Sequence, residues 1–246
     1  MLYDQHGRML PEIASQKPPA AGRWTILEIA DRAYDDVSRG FTPLDVDSII
    51  TRANSGDAAD QAALGMELLE KSDAVIAAFS VRSRAVSGLQ YHIEPGDKTP
   101  SAKRAAEAFD QALDASGETD EMADGAPVDG FPALVSDMLQ AIIVGYSLNE
   151  IIWGPGGTLT GFTSIDSRLL DFTRGFLPRI RHTGGYAELV PDKYVWMATR
   201  EHGPDPVRGG LIRPLAWLHC FLRMNRVDLM AFIERYGMPF LVARIS

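Results

Sequence analysis

The sequence predicts an α+β fold with a helical N-terminal part, a mixed core of helix and antiparallel hairpin, and one long C-terminal helix. Three observations carry that class. Apolar residues recur at helical spacing through the first half of the chain. Period-two alternation takes over from Ser147, and unbroken helical spacing returns from Ile212 to Tyr236. With 46% hydrophobic and 23% charged residues among 246, there is ample material for a packed core.

Residues 1–23 show no period and carry Pro11, Pro18, Pro19 and Gly22, so they read as a flexible arm. Residues 24–211 form the α+β body, and 212–246 the long helix followed by a terminal strand. Thr42 caps a first helix with Pro43 at its first position, and Leu44, Val46, Ile49 and Ile50 share one face. Asn54-Ser55-Gly56 stops it, and Asp57 caps the next, which carries Leu64, Met66, Leu68 and Leu69. Ser72-Asp73 opens a third helix, where Val75, Ala78, Phe79, Val81 and Val86 have the spacing of a buried stripe and Gly88 closes the element. Leu89–Glu94 alternates as a half-buried strand, and Ser101–Leu113 is an amphipathic helix. Ser116–Gly130 is an acidic, solvated loop. Phe131–Tyr146 reads as a single apolar helix.

Ser147–Trp153, the turn Gly154-Pro155-Gly156-Gly157 and Thr158–Ile165 make a β-hairpin. Glu150 lies on a strand with apolar residues in both phases, so it needs a cationic partner, for which Arg213 and Arg168 are the candidates. Short strands follow at Leu169–Thr173, Ala187–Val190 and Tyr194–Met197. The long helix Ile212–Tyr236 ends at Gly237, with Pro239 as a stop and Phe240–Ile245 as a strand beyond it.

Catalytic patterns are weak throughout. Cys220 sits in an apolar helix, and its neighbour His219 points about 100° away, so the thiol reads as a small core residue. The five histidines include no i,i+4 pair, and Met122 and Phe131 occupy ligand positions that a calcium loop from Asp120 would need. Gly154–Gly157 lacks the Lys-Ser/Thr of a phosphate loop. Asp166 and Asp171 are the carboxylate pair a hydrolase would use, although no companion motif accompanies them. No metal or cofactor is called for.

Charge is uneven. Acids outnumber bases by 33 to 24, which argues against a protein that coats nucleic acid. Arg168–Arg226 nevertheless holds ten basic residues against five acids, while Glu94–Asp129 holds ten acids against three bases. That asymmetry describes either a solvated surface or complementary faces for a partner. The lone Cys220 cannot form an internal disulfide, and no run of 18 apolar residues offers a membrane span, so the chain reads as soluble and intracellular, or as part of an assembly built inside a cell.

Three segments carry a family likeness. Glu70–Asp97 places an acidic turn, an Arg-bearing helix and Tyr91-His92-Ile93-Glu94-Pro95-Gly96 in order, the last similar to W-x-I-x-P-G with Tyr91 in the Trp position. Ala141–Trp153 is similar to A-x-x-x-G-F/Y-S-x-x-E-I/V-x-W through Gly145, Glu150 and Trp153. Arg208-Gly209-Gly210-Leu211-Ile212-Arg213-Pro214-Leu215-Ala216-Trp217 matches R-G-x-L-x-R-P-L/A-x-W, and Phe232–Pro239, with Glu234, Gly237 and Pro239, matches F-x-E-x-F/Y-G-M-P. In this order the segments resemble the portal proteins of Mu-type phages and their prophages.

The resemblance implies a wing-like α+β subunit of a ring at one vertex of a phage head. It implies partners too: other copies of the chain, duplex DNA passing through the channel, the packaging motor and the neck or head proteins, with no membrane contact. It also implies assembly in the bacterial host cytoplasm, a place in the virion, and no catalytic residues. The family's chains run on past the Gly-Met-Pro segment, so the expectation is an N-terminal portion that does not close a stable ring by itself. The competing expectations are an unrelated non-catalytic interaction module and a hydrolase built on Asp166 and Asp171.

One solution property follows from the charge of -9. Retention on duplex DNA should vanish by about physiological salt, because few phosphates are neutralised at once. Filter binding across a salt series checks this, and sub-micromolar affinity at about physiological salt would contradict it.

Overall fold

Thr42 and Pro43 start helix α1, Pro43–Asn54, and the Asp45 carboxylate locks the start by accepting from the Thr42 N–H at 2.8 Å and its hydroxyl at 2.6 Å. This is a computed structural model of the chain, describing residues 37–38, 40–117, 128–182, 184–200 and 202–237. The expected arm of residues 1–23, the middle of the acidic loop, Pro239 and the strand Phe240–Ile245 lie outside the described residues.

Helix α2, Ala59–Lys71, packs against α1 and follows a tight turn. Asp57 does not cap it, contrary to expectation. Ala58 is the cap residue, and Asp57 instead accepts from Arg181 Nη2 at 2.8 Å. A charge-assisted bond to a distant arginine is stronger than a local cap to a neutral amide. Helix α3, Asp73–Ser87, forms where read and ends at Gly88, but it buries no residue. Val75 and Phe79 are half-buried, while Ala78, Val81 and Val86 are exposed. Spacing shows which residues share a face; it does not supply a layer to cover that face.

The alternation at Leu89–Glu94 also has a different outcome. The segment joins no sheet. Tyr91 sets its ring edge against Phe131 at 4.7 Å and donates its hydroxyl to Asp114 at 2.9 Å, and Ile93 packs on the Leu113–Leu134–Phe162 cluster. His92 and Glu94 face solvent. The period-two pattern thus records one side lying on α4, Pro100–Asp114, and α5, Phe131–Met138, without a hydrogen-bonded ladder.

The single helix expected over Phe131–Tyr146 is two. After α5 the bonds shift to the tighter i→i−3 pattern, Gln140 N–H to Asp137 and Ile142 N–H to Leu139, before the short α6, Ala141–Val144. Gly145 then takes φ 110° and turns the chain into β1, Tyr146–Trp153, so Tyr146 is a buried strand residue.

β1 is the centre of a three-stranded antiparallel sheet, with β2, Leu159–Ile165, on one side and β6, Tyr194–Ala198, on the other. The β1–β2 hairpin is the one anticipated, and its odd-phase face meets α5, where Ile151 packs on the cluster of Leu113, Leu134 and Phe162 and Ser147 Oγ donates to the Asp137 carbonyl at 3.1 Å. A second antiparallel sheet holds β3, Leu170–Asp171, β4, Arg179–His182, and β5, Gly185–Glu188. β4 was not anticipated, because Arg179, Arg181 and His182 give it a polar look. Helix α7, Ile212–Tyr236, has the bounds expected.

The core has three parts. Tyr146, Leu148, Leu170, Phe172 and Ile180 fill the centre, with Trp196 against them. Val46, Ile49, Leu64, Leu68, Ile212, Ala216 and Cys220 join α1, α2 and the start of α7. Leu113, Leu134 and Phe162 form the third.

Asp171 is buried with Arg179 Nη2 at 2.6 Å and Thr173 Oγ1 at 2.7 Å. Burial pushes its carboxyl up, but hydrogen bonds from Thr173 and Arg179 outweigh that and hold it below its ordinary value. A depressed folded value gives stability that is complete above the unfolded carboxylate range and lost as pH falls through the folded value. Asp171→Ala should therefore cost about 3–5 kcal/mol in urea unfolding at neutral pH, by stranding Arg179. Wild-type stability should also fall more steeply than that of Asp171→Asn below about pH 4. A cost under about 1 kcal/mol would contradict the buried pair.

Candidate functional site

Three motif glycines converge at one place, where α6 ends, β6 ends and α7 begins. Gly145, Gly209 and Gly210 are packed backbone to backbone. A Cβ on Gly145 would stand 2.3 Å from the Pro206 carbonyl oxygen and 2.9 Å from the Gly210 nitrogen. One on Gly210 would stand 2.3 Å from the Ile143 carbonyl oxygen and 2.4 Å from the Gly145 nitrogen, and one on Gly209 2.2 Å from the Thr199 carbonyl oxygen. Only hydrogen fits at these three positions.

Hydrogen bonds stitch the same point. The Thr199 N–H donates to the Gly145 carbonyl at 2.9 Å, and the Thr199 hydroxyl donates to it at 3.0 Å. The Leu211 N–H donates to the Ile142 carbonyl at 3.0 Å. Gln61 Nε2, buried on α2, donates to the Val207 carbonyl at 2.8 Å and holds the 3₁₀ turn Pro206–Arg208. The root of α7 is therefore tied to α6, β1, β6 and α2 together.

The other motif residues are spread from this joint to the far end of α7. Arg213, in the first turn of α7, donates through Nη2 to Asn54 Oδ1 at 2.7 Å, at the end of α1. It does not pair with Glu150. That carboxylate is buried against Lys193, Nζ to Oε1 3.0 Å. Arg168 is not its partner either, being bound to Asp166. Lys193 wins because it follows a tight turn, with Asp192 at φ 62°, that lays it beside β1, where its own carbonyl accepts from Ile151 N–H at 2.8 Å. Trp153 ends β1 and is half-exposed, Arg208 and Pro214 are exposed, and Trp217 stacks on Phe221 at 6.1 Å. Glu234 and Gly237 lie exposed at the far end of α7.

Asp166 and Asp171 are each engaged by their own arginine, and their oxygens accept further bonds from the Arg168 N–H and from Thr173. Both carboxylates are thus taken up by internal ion pairs that hold their turn and strand. Burial raises the Asp137 carboxyl to about 6, with nearby Asp129 adding to the rise, in a cleft that also contains Glu70 and Asp166. Among the described residues no group of three or more His, Cys, Asp or Glu side chains is placed to hold a metal. Cys220 is fully buried, and burial pushes its thiol up, away from the reactive thiolate.

Internal pairing also explains much of the basic stretch. Arg168, Arg179, Arg181, Lys193 and Arg213 are bound to Asp166, Asp171, Asp57, Glu150 and Asn54 respectively. Sequence reasoning missed Asn54, Thr199 and Lys193, which belong to no motif and are brought in by the tertiary fold.

The family described as the portal protein of Mu bacteriophage matches residues 63–246. A Haemophilus influenzae protein, the Mu-like prophage FluMu protein gp29, is 26% identical over 97% of this chain and 45% of its own length. The portal protein of Escherichia phage Mu is 26% identical over 88% of this chain and 41% of its own. The chain thus spans less than half the length of these curated relatives. Among solved structures, a HK97 family phage portal protein from Corynebacterium diphtheriae is similar over 64% of this chain and 58% of that one, at 11% identity and a TM-score of 0.33.

A methyl group is the smallest probe of the joint. Gly210→Ala should destabilise the chain by at least about 2 kcal/mol, because the atoms it meets are backbone and cannot swing away. Gly96→Ala, which meets nothing within 4 Å, should be near neutral. Urea midpoints compare the two, and equal midpoints would contradict the close packing.

Proposed function

The chain belongs to the portal protein family of Mu bacteriophage, and from that premise we propose that it is a structural subunit of the portal ring of a phage head. In this reading its partners are other copies of the chain, with duplex DNA passing through the ring, and the packaging motor and neck proteins docking on it. Its place is the head vertex of the virion, after assembly in the host cytoplasm. It works through shape and contact, without catalytic residues.

The observation that supports the reading is the course of α7. Its first turns are bound by Ile212, Ala216 and Cys220, and no described residue after Cys220 is buried. Over Phe221–Tyr236 the exposed residues include Leu222, Met224, Val227, Met230, Phe232 and Ile233. These are many large apolar side chains to leave in water, and they sit on a helix whose root the joint holds. A head-to-tail ring needs such a feature, because one subunit surface must meet a different surface of the next. Among the described residues no helix is long and apolar enough to cross a membrane, so a lipid-spanning role does not account for it.

Light scattering after gel filtration, run over a concentration series, tests the proposal. Apparent mass should rise with concentration, and Phe232→Glu together with Met230→Glu should return the chain to monomer without changing its melting curve. A wild-type chain that stays monomeric at every concentration would contradict it.

A further inference from the structure

A cleft of about 440 Å³ opens between the C-terminal end of α2 and the middle of α7. His219, Arg223 and Arg226 enter it from α7, spaced i, i+4 and i+7 and therefore on one face of the helix. Lys71 and Ser72 line it from the other side. Among the described residues that line it there is no carboxylate.

We propose that this cleft is a phosphate-binding site, matched to a compact dianion such as inorganic phosphate or a phosphate monoester. Charge arithmetic sets the ligand. Lys71 is balanced by Glu67, with Nζ 3.0 Å from Oε1, and Glu67 is otherwise occupied by the Ser38 N–H at 3.0 Å and its hydroxyl. Among the described residues Arg223 bonds to neutral acceptors, the Ser38 carbonyl and hydroxyl, and Arg226 is exposed. Two arginine charges are left facing the cleft. A doubly charged group balances them, and guanidinium forks suit phosphate oxygens.

Two further features agree. Ser72 is the residue before α3, a helix of 15 residues, and its side chain makes no capping bond, which leaves the first-turn N–H groups without a side-chain acceptor. His219 faces Glu67 and Lys71 from α2 and Arg223 and Arg226 from its own helix. Burial lowers its pKa first, and the three cations lower it further against Glu67, so the imidazole is a reporter that an arriving anion would push back up.

The cleft is a property of the monomer and stands whether or not the chain forms a ring. Calorimetric titration of the full chain with inorganic phosphate at low ionic strength, alongside an NMR pH titration of the His219 ring, tests it. Saturable binding and a rise in the His219 pKa at saturation are expected. Arg226→Gln, exposed and so without effect on folding, should weaken binding about tenfold through loss of one charge-assisted contact. Arg174→Gln, outside the cleft, should leave binding unchanged. A duplex oligonucleotide at equal phosphate concentration should fail to displace the anion. Absence of saturable binding, equal affinity in the two variants, or displacement by the duplex would overturn the assignment.

Discussion

The course of α7 depends on a contact made chiefly by backbone at its root. Gly145, Gly209 and Gly210 bring three backbone segments closer than any Cβ allows, and Thr199 and Leu211 hydrogen-bond across the gap. The contact is small, but it is where the sheet hands over to α7. Hydrophobic burial pins the helix by Ile212, Ala216 and Cys220 over its first turns alone. A 25-residue helix held at one end needs a stiff root, and directional hydrogen bonds between close-packed backbones provide one.

Beyond that root the physics of the helix changes. Near the joint the apolar stripe faces α1 and α2; further along, no described residue is buried, and a band of arginines and His219 faces the end of α2. The same element is core, charged cleft wall and open apolar surface in succession. The paired charges of the body play a different part: Asp171 with Arg179 and Glu150 with Lys193 are buried ion pairs that fix strand positions, since either member left alone would be an uncompensated charge.

Much of this was legible in the sequence wherever a local rule decided the outcome. The Thr42-Pro43 start, the Gly154–Gly157 turn and the bounds of α7 are set by caps, turn chemistry and spacing within a few residues. The misreadings came where a distant residue decides. Asp57 gives up its cap for Arg181, Glu150 takes Lys193 over the expected arginines, and the apolar run from Phe131 breaks because Gly145 must reach Gly210. α3 shows the remaining limit: a helical stripe is visible in sequence, whereas whether the described residues cover it is decided by tertiary packing. The motif glycines were visible as letters, and their convergence was not.

The most direct test of the central joint is native-state hydrogen exchange at the amides of Gly145, Thr199 and Leu211. If the joint is the rigid root described here, these three amides should exchange only through global unfolding, as slowly as Leu148 in the buried centre of β1. Exchange of Thr199 and Leu211 through local opening, at a free energy well below that of Leu148, would show that α7 swings on a loose hinge and would contradict the account.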